Sequence, residues 1–171
     1  RIAPPVAAAL SRRAAVVALE TMIVTHGLPR PDGVAVAAEL EAVVAAGGAV
    51  PATIGVLDGH LHVGMDAGQL TRLATEPGVA KVSAGNLAAT LAAGVAGSTT
   101  VAATLFAAEA AGISVFATGG IGGVHRGAET TGDVSADLAA LGRHRVAVVC
   151  SGAKAMLDLP RTVETVSYTH L

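Results

Sequence analysis

The stretch that decides the fold is residues 113–127, which read ISVFATGGIGGVHRG. Its first five residues form an apolar run of strand length, and a glycine-rich turn follows directly. Such a turn lets backbone N–H groups point at an anion, and His125 and Arg126 add charge beside it. The stretch predicts a buried strand that ends in a phosphate-binding loop, with plain turn glycines as the structural alternative.

Apolar runs like this one alternate with longer alanine-rich segments along the chain. Runs rich in β-branched residues, as strands buried on both faces are, occupy 14–19, 53–57, 113–117 and 146–150. Segments with a helical period, each closing on glycine, occupy 34–46, 86–93 and 99–111. This order predicts an α/β fold, a layered α/β/α domain with a mostly parallel central sheet.

Two local patterns refine this prediction. In the helix predicted at 34–46, one side carries Leu40, Val43 and Val44 and the other carries Glu39 and Glu41, which is the pattern of a helix with its apolar side buried. Residues 60–62, His-Leu-His, alternate as in a hairpin strand, and two histidines alone are a weak metal signal.

Composition limits the classes of protein and ligand. The 171 residues are 52% hydrophobic and carry a formal net charge of −2, which suits one compact domain. The basic residues are scattered, which argues against a nucleic-acid or anionic-membrane partner and favours a small-molecule ligand. Mean hydropathy is +0.61, yet no run approaches the ~20 apolar residues of a membrane span. The single cysteine, Cys150, excludes an internal disulfide, so a cytoplasmic protein is expected.

Three predicted strands are followed by residues that can perform chemistry. Glu20 follows the first strand, the glycine-rich loop follows residue 117, and Lys154 follows the last strand. In open α/β sheets ligands bind at the carboxyl ends of the strands, so these groups are expected to share one site. A lysine held there can lose hydration and its proton and become an amine nucleophile that forms a Schiff base. The structural alternative for Lys154 is a surface lysine that caps a loop.

Two further segments allow alternative interpretations. The glycine-rich loop is not a dinucleotide-binding fingerprint, because histidine stands at 125 where glycine would be required. Residues 133–137, Asp-Val-Ser-Ala-Asp, read locally as a helix N-terminus capped by Ser135 or Asp133. Their functional interpretation is a metal-binding carboxylate beside a substrate-binding hydroxyl and carboxylate, because hard divalent ions prefer oxygen ligands.

Several short strings occur together, in one order and at characteristic intervals. They are LE at 19–20, THGLP at 25–29, PATIG at 51–55, KVS at 81–83, TTVAAT at 99–104, TGGIGGVHRG at 118–127, DVSAD at 133–137 and GAK at 152–154. This set resembles the pseudouridine-5′-phosphate glycosidase family, whose members are indigoidine synthase A-like. The resemblance runs over residues 5–165, nearly all of this chain but little more than half of a usual member.

The resemblance implies an enzyme of the carbon–oxygen lyase class. It would cleave the C-glycosidic bond of pseudouridine 5′-phosphate to uracil and ribose 5-phosphate, with Mn²⁺ as cofactor, in a homotrimer. Because the sugar is bonded to carbon, the pair of carboxylates of an ordinary glycosidase does not suffice. By resemblance, Lys154 attacks the anomeric carbon, opens the ribose ring and holds it as an iminium, while Glu20 supplies or removes protons, including at the uracil carbon.

The resemblance also implies binding roles. Asp133 matches the metal position. The residues that match substrate contacts are Lys81, the backbone at Val101, Ser135 and Asp137, and Thr118 and His125 would join Lys81 at the phosphate. The family context adds a pseudouridine kinase as a pathway partner rather than a bound one.

The end of the chain departs from the family pattern. Residues 166–171, VSYTHL, match nothing expected there, so we expect the N-terminal part of a single family domain at 1–165, with an incomplete sheet, and a non-native tail. Two alternatives to the glycosidase remain open. One is another Schiff-base lyase or aldolase that acts on a sugar phosphate through the same lysine, and the other is an inactive phosphosugar-binding fragment.

Overall fold

The computed structural model describes residues 1–29 and 32–168. The strands of the described part are β1 (Val16–Leu19), β2 (Val50–Leu57), β3 (His60–Val63), β4 (Ala80–Val82), β5 (Gly97–Thr99), β6 (Val115–Ala117) and β7 (Ala147–Val149). The α-helices are α1 (Pro4–Ser11), α2 (Asp32–Ala46), α3 (Ala67–Thr75), α4 (Leu87–Ala93), α5 (Val101–Ala111), α6 (Ala128–Thr131), α7 (Ala136–Arg143) and α8 (Leu159–Tyr168). A π-helical segment spans Ile23–Gly27, directly after the first strand.

The strands form one sheet in the order β4-β5-β2-β1-β6-β7, and β3 pairs with the second half of β2. The pairs β1–β2, β1–β6, β6–β7 and β4–β5 are parallel, whereas β2 runs antiparallel to β3 and β5. Strand β2 joins the two parts, because residues 50–53 pair with β1 and residues 54–57 pair with β3. The prediction of an α/β fold with a mostly parallel sheet is confirmed.

The largest cluster of buried apolar side chains lies between this sheet and α5. Phe116 of β6, Ile54 of β2 and Leu105 of α5 are each fully buried in it. Helix α5 is rich in alanine and apolar on nearly all sides, as expected of a helix enclosed by other elements. Its small side chains let it pack closely on the sheet.

The hairpin predicted around residues 60–62 is confirmed. Strands β2 and β3 are joined by Asp58 and Gly59, whose φ angles are 52° and 70°. Positive φ at both central residues is the geometry of the two-residue turn that matches the twist of a hairpin.

Two predictions about burial are wrong. In α2, Leu40 is 41% and Val43 69% exposed, because the helix packs instead through the buried small residues Gly33 and Ala37. A Cβ at Gly33 would lie 2.4 Å from the Ile23 carbonyl oxygen, so this close contact needs glycine. The strand predicted at 146–150 is not buried on both faces, because β7 pairs only with β6 in the described residues and is half open to solvent.

The predicted non-native tail falls partly outside the described residues. Residues 166–168 continue α8, while residues 169–171 are not described. The helices within the described ranges are too short or too polar to cross a membrane.

Candidate functional site

The carboxyl ends of β1, β6 and β7 lie side by side, because these strands are parallel neighbours. Glu20 follows β1 directly and Thr118 follows β6. The Thr118 hydroxyl donates a hydrogen bond to Oε1 of Glu20, and its amide donates to the Val149 carbonyl at 3.0 Å. The loop after β7 is fixed to the glycine-rich loop, since the Lys154 amide donates to Ile121 at 3.1 Å and the Ile121 amide donates to Gly152 at 3.0 Å. The three strand ends therefore form one continuous surface.

This surface forms one wall of a cavity of about 380 Å³, a size suited to a small metabolite. The predicted site residues that line it are Glu20, Lys81, Val101, His125, Asp133, Ser135, Asp137 and Lys154. Thr118 is not among the lining residues and instead donates a hydrogen bond to Glu20. The structure thus brings the residues singled out by sequence to one place, from segments that lie far apart along the chain.

Glu20 is a partly buried carboxyl group with opposing influences on its proton. Burial raises the pKa of Glu20 above its ordinary value, and the charge of Asp137 adds to this. The hydrogen bond from Thr118 and the positive charge of Lys154 lower the pKa, but by less in total. A carboxyl group with a raised pKa retains its proton closer to neutral pH, which suits a proton donor.

The Lys154 side chain is exposed, so the expectation that it loses part of its hydration is wrong for the described residues. The loop that carries it follows the edge strand β7, and Met156 two residues later is 66% exposed. The lysine stem lies against the glycine-rich loop, where a Cβ at Gly120 would come within 3.4 Å of its Cγ.

Asp137 is the most buried charged group of the cavity wall, at 6% exposure. Its Oδ1 accepts from the Ala102 amide in the first turn of α5 at 3.0 Å, and its Oδ2 accepts from the Gly122 amide at 2.9 Å. The predicted helix start is confirmed with Ser135 as the cap, because its hydroxyl accepts from the Asp137 amide at 3.2 Å. A Cβ at Gly122 would lie 2.3 Å from Ser135 Oγ, so the loop passes this point only as glycine.

The predicted metal ligand Asp133 is at the rim of the cavity, with a side chain that is 63% exposed. Its Oδ2 lies 3.8 Å from Nδ1 of His125. Within residues 1–29 and 32–168 no three His, Cys, Asp or Glu side chains are grouped as a metal cage would need. The pair fits an ion that keeps most of its ligands as water, and it does not fit one held entirely by protein.

A second and larger cavity, of about 610 Å³, lies between α1, β3 and α3 and contains none of the predicted site residues. Most of its polar groups already have partners. Asp66 and Gln69 cap α3 reciprocally, and Glu41 accepts from the Thr53 hydroxyl. Its walls are otherwise mainly apolar, so the smaller cavity is the better candidate for chemistry.

The smaller cavity, which contains Glu20 and Lys154, also contains residues to which the sequence analysis gave no role. These are Met22, Ser83, Thr100, Val134, Ala136, Met156 and Leu157, and Gly122 of the predicted phosphate-binding loop lies there too. Thr100 was missed because residues 99–111 were predicted as helix, whereas the helix begins at Val101 with Thr100 as its N-cap residue. The apolar residues carry no local signal, since nothing in the sequence shows which cavity they face.

Comparisons with a family model and with individual relatives point to the same family. A family model described as indigoidine synthase A like protein matches residues 5–170. The pseudouridine-5′-phosphate glycosidase of Herpetosiphon aurantiacus is 56% identical over 163 residues, which cover 95% of this chain and 54% of that protein. The protein of the same name from Rhodospirillum centenum is 62% identical over 150 residues, which cover 88% of this chain and 47% of that protein.

Two solved structures share the fold. The prealnumycin C-glycosynthase AlnA, in complex with ribulose 5-phosphate, matches with a TM-score of 0.91 at 42% identity, over 100% of this chain and 55% of its own. An indigoidine synthase A-like protein from Thermotoga maritima matches with a TM-score of 0.86 at 35% identity, over 92% of this chain and 52% of its own. The chain spans about half the length of the curated relatives it matches. It belongs to the family of indigoidine synthase A like proteins, as the resemblance of its motifs implied.

Proposed function

We propose that the protein cleaves the C-glycosidic bond of pseudouridine 5′-phosphate through a Schiff base on Lys154. The observation that carries this proposal is that Lys154 and Glu20 line one cavity, with burial raising the pKa of Glu20. An amine and a carboxyl group that retains its proton are the two groups that cleavage of a carbon–carbon bond at an aldehyde carbon needs. The relatives named pseudouridine-5′-phosphate glycosidase support the choice of substrate.

In the proposed reaction, Lys154 Nζ forms a bond to C1′ of the ribose while the C1′–O4′ bond breaks and O4′ takes up a proton. Glu20 then protonates C5 of uracil. The electron pair of the lysine nitrogen expels uracil as the C1′–C5 bond breaks, which leaves the open-chain sugar as a protonated Schiff base. Water hydrolyses this intermediate to ribose 5-phosphate and regenerates the lysine amine.

The other residues of the cavity have binding roles in this proposal. Lys81 and His125 bind the phosphate beside the glycine-rich loop, and Ser135 with the backbone at Val101 contacts the rest of the substrate. Thr118 is proposed to act chiefly on Glu20, because its hydroxyl is already bonded to that carboxylate. Asp137 is proposed to act through the loops it joins, since each of its oxygens already accepts a backbone N–H.

The proposal extends to cofactor and assembly. Asp133, with His125 nearby, would hold Mn²⁺ largely through water, and the ion would organise polar groups at the rim of the cavity. Binding of Mn²⁺ by Asp133 is tested by isothermal titration of the protein and of Asp133→Asn. A homotrimer is tested by sedimentation, and a pseudouridine kinase is proposed as the supplier of the substrate.

The catalytic proposal is tested by release of uracil and by trapping of the intermediate. Protein incubated with ribose 5-phosphate and reduced with borohydride should carry a covalent sugar-phosphate adduct. The chain contains two lysines, so peptide mapping distinguishes Lys154 from Lys81 directly. Lys154→Arg should form no adduct and release no uracil, and Glu20→Gln should form the adduct but release uracil at least ~100-fold more slowly. Full activity of either variant would overturn the assigned roles.

A second candidate function is synthesis of a C-glycosidic bond, which the likeness to the prealnumycin C-glycosynthase favours. It uses the same amine and the reverse sequence of bond changes. A third candidate is a lyase or aldolase that cleaves within the sugar phosphate. The products distinguish the three, because only the first releases uracil and ribose 5-phosphate from pseudouridine 5′-phosphate.

A further inference from the structure

The hydroxyl of Thr100 stands out among the buried polar groups of the described residues. Thr100 is 8% exposed, and its Oγ1 is one of two buried side-chain atoms in this part of the chain without a hydrogen-bond partner. The other is Nε2 of His62, at the larger cavity. A buried hydroxyl without a partner destabilises the fold, so such groups usually meet a ligand or water.

Its position in the fold explains why this hydroxyl lacks a partner. Thr100 is the N-cap of α5, with extended backbone angles of φ −80° and ψ 176°, and a threonine there normally accepts an N–H of the first helical turn. In this protein Asp137 accepts the Ala102 N–H instead, at 3.0 Å. The Thr100 oxygen makes no capping hydrogen bond, and its O–H is free to donate.

The backbone holds Thr100 in place on both sides. Its amide donates to the Val82 carbonyl at 2.8 Å, and its carbonyl accepts from the Thr104 amide at 2.9 Å. The residue lines the same cavity as Glu20 and Lys154, at the N-terminus of a helix of 11 residues. The N–H groups at such an end attract an oxygen acceptor.

We propose that the Thr100 hydroxyl donates a hydrogen bond to an acceptor oxygen of the substrate, either on the phosphate or on the uracil ring, and so positions the substrate and selects for it. This inference rests on the proposed function, because it takes the ligand of the cavity to be the nucleotide that the reaction cleaves. The hydroxyl that is unpaired in the free protein becomes paired in the complex. A ligand without an oxygen at this point leaves it unpaired and is rejected.

The test compares Thr100→Val and Thr100→Ser with the parent protein, by thermal melting and by calorimetric titration with ribose 5-phosphate and with uracil. The free Thr100→Val protein should melt at the parent temperature or above it, since it loses an unpaired hydroxyl and no hydrogen bond. Its affinity for one of the two ligands should fall about 10-fold, and Thr100→Ser should stay within about 3-fold. The affected ligand identifies the acceptor as a phosphate or a ring oxygen.

Thr90→Val is the matched control. Thr90 is equally buried, at 7% exposure, but its hydroxyl donates to the Asn86 carbonyl at 2.9 Å and lies away from the cavity. This variant should melt at a lower temperature and bind both ligands normally. Unchanged affinities in Thr100→Val, in a protein that binds both ligands, would overturn the role of Thr100 and leave the proposed function intact. A parent protein that binds neither ligand would overturn both.

Discussion

Asp137→Asn tests whether one buried carboxylate joins the elements around the cavity. In the parent protein, Oδ1 of Asp137 accepts from the Ala102 amide and Oδ2 accepts from the Gly122 amide. Asparagine has nearly the same shape but only one acceptor oxygen. Whichever way its amide group turns, an NH₂ group faces a backbone N–H.

The expected loss of stability follows from these two contacts. A hydrogen bond to a charged group contributes about 1.5–3 kcal/mol, and one of the two is lost outright. The other becomes a neutral hydrogen bond, roughly half as strong. The loss of negative charge at the start of α5 acts on the same amide and is already contained in these values. The free energy of unfolding should fall by about 3 kcal/mol, equivalent to about 6–12 °C in melting temperature for a domain of this size.

Urea unfolding followed by far-UV circular dichroism measures this difference. Asp133→Asn is the matched control, because it makes the same chemical change four residues earlier on a side chain that is 63% exposed. Its free energy of unfolding should change by less than about 0.5 kcal/mol. The reasoning is refuted if Asp137→Asn is no more destabilising than this control.

Three further changes test neighbouring contacts. Gly122→Ala places a Cβ 2.3 Å from Ser135 Oγ and should lower the stability of the folded protein by about 1–3 kcal/mol. A Cβ at Gly119 meets no atom within 4 Å, so Gly119→Ala should be tolerated. Equal melting temperatures for the two variants would contradict this expectation. Thr21→Val removes a fully buried hydroxyl that donates to β2 at 2.8 Å and accepts from β5 at 2.9 Å, so urea unfolding should show a loss of about 1–3 kcal/mol that Thr21→Ser largely avoids. Because the folded pKa of Glu20 is raised, the stability it contributes is present below pH 4.5 and lost as the pH rises through the folded pKa. Glu20→Gln should therefore match the parent in acid and become relatively more stable above pH 4.5; a constant difference across pH would contradict the raised pKa.

The sequence predicts those parts of the fold that depend on local pattern. The strands at 16–19 and 115–117 lie in β-branched runs, so their existence and their parallel pairing could be predicted. For β2, the predicted run at 53–57 covers mainly the half that pairs antiparallel with β3 and β5, and residues 50–52, which pair parallel with β1, were missed. Strands β4 and β5 were not predicted, because three residues are too few to show a period and they exist only through pairing with each other and with β2. Strand β5 ends at Thr99, which was assigned by sequence to the start of the following helix.

Burial on α2 shows a different limit of prediction from the sequence. The periodicity places Leu40 and Val43 on an inward face, and the structure places them outside. Hydrophobic pattern assumes that the largest apolar side chains are buried. Here the close approach of the helix to the π-helical segment at Ile23–Gly27 requires the smallest ones, and that requirement is set by a contact between distant parts of the chain.

The candidate site also contains some residues whose positions the sequence could predict and others whose roles it could not. Glu20, Thr118 and Lys154 are placed by the ends of strands, so their meeting could be predicted from topology. The role of Asp137 could not, because its partners are amides of α5 and of the glycine-rich loop, which lie 35 and 15 residues away. The unpaired hydroxyl of Thr100 could not be predicted either, because it depends on how α5 begins beside the Ala102 amide that Asp137 accepts.

Asp137 connects stability and binding at one carboxylate. Asp137 caps α5 and holds the glycine-rich loop, two tasks that stabilise the fold without a ligand. The Thr100 hydroxyl stands two residues before the Ala102 amide that Asp137 accepts, and it has no partner within the described residues, so the resulting cost of about 1–3 kcal/mol is recovered when a ligand oxygen accepts from it. Part of the binding free energy is therefore stored in the free protein as an unpaired hydroxyl. Loss of Asp137 should consequently weaken ligand binding by loosening the first turn of α5, which positions Thr100, even in molecules that remain folded.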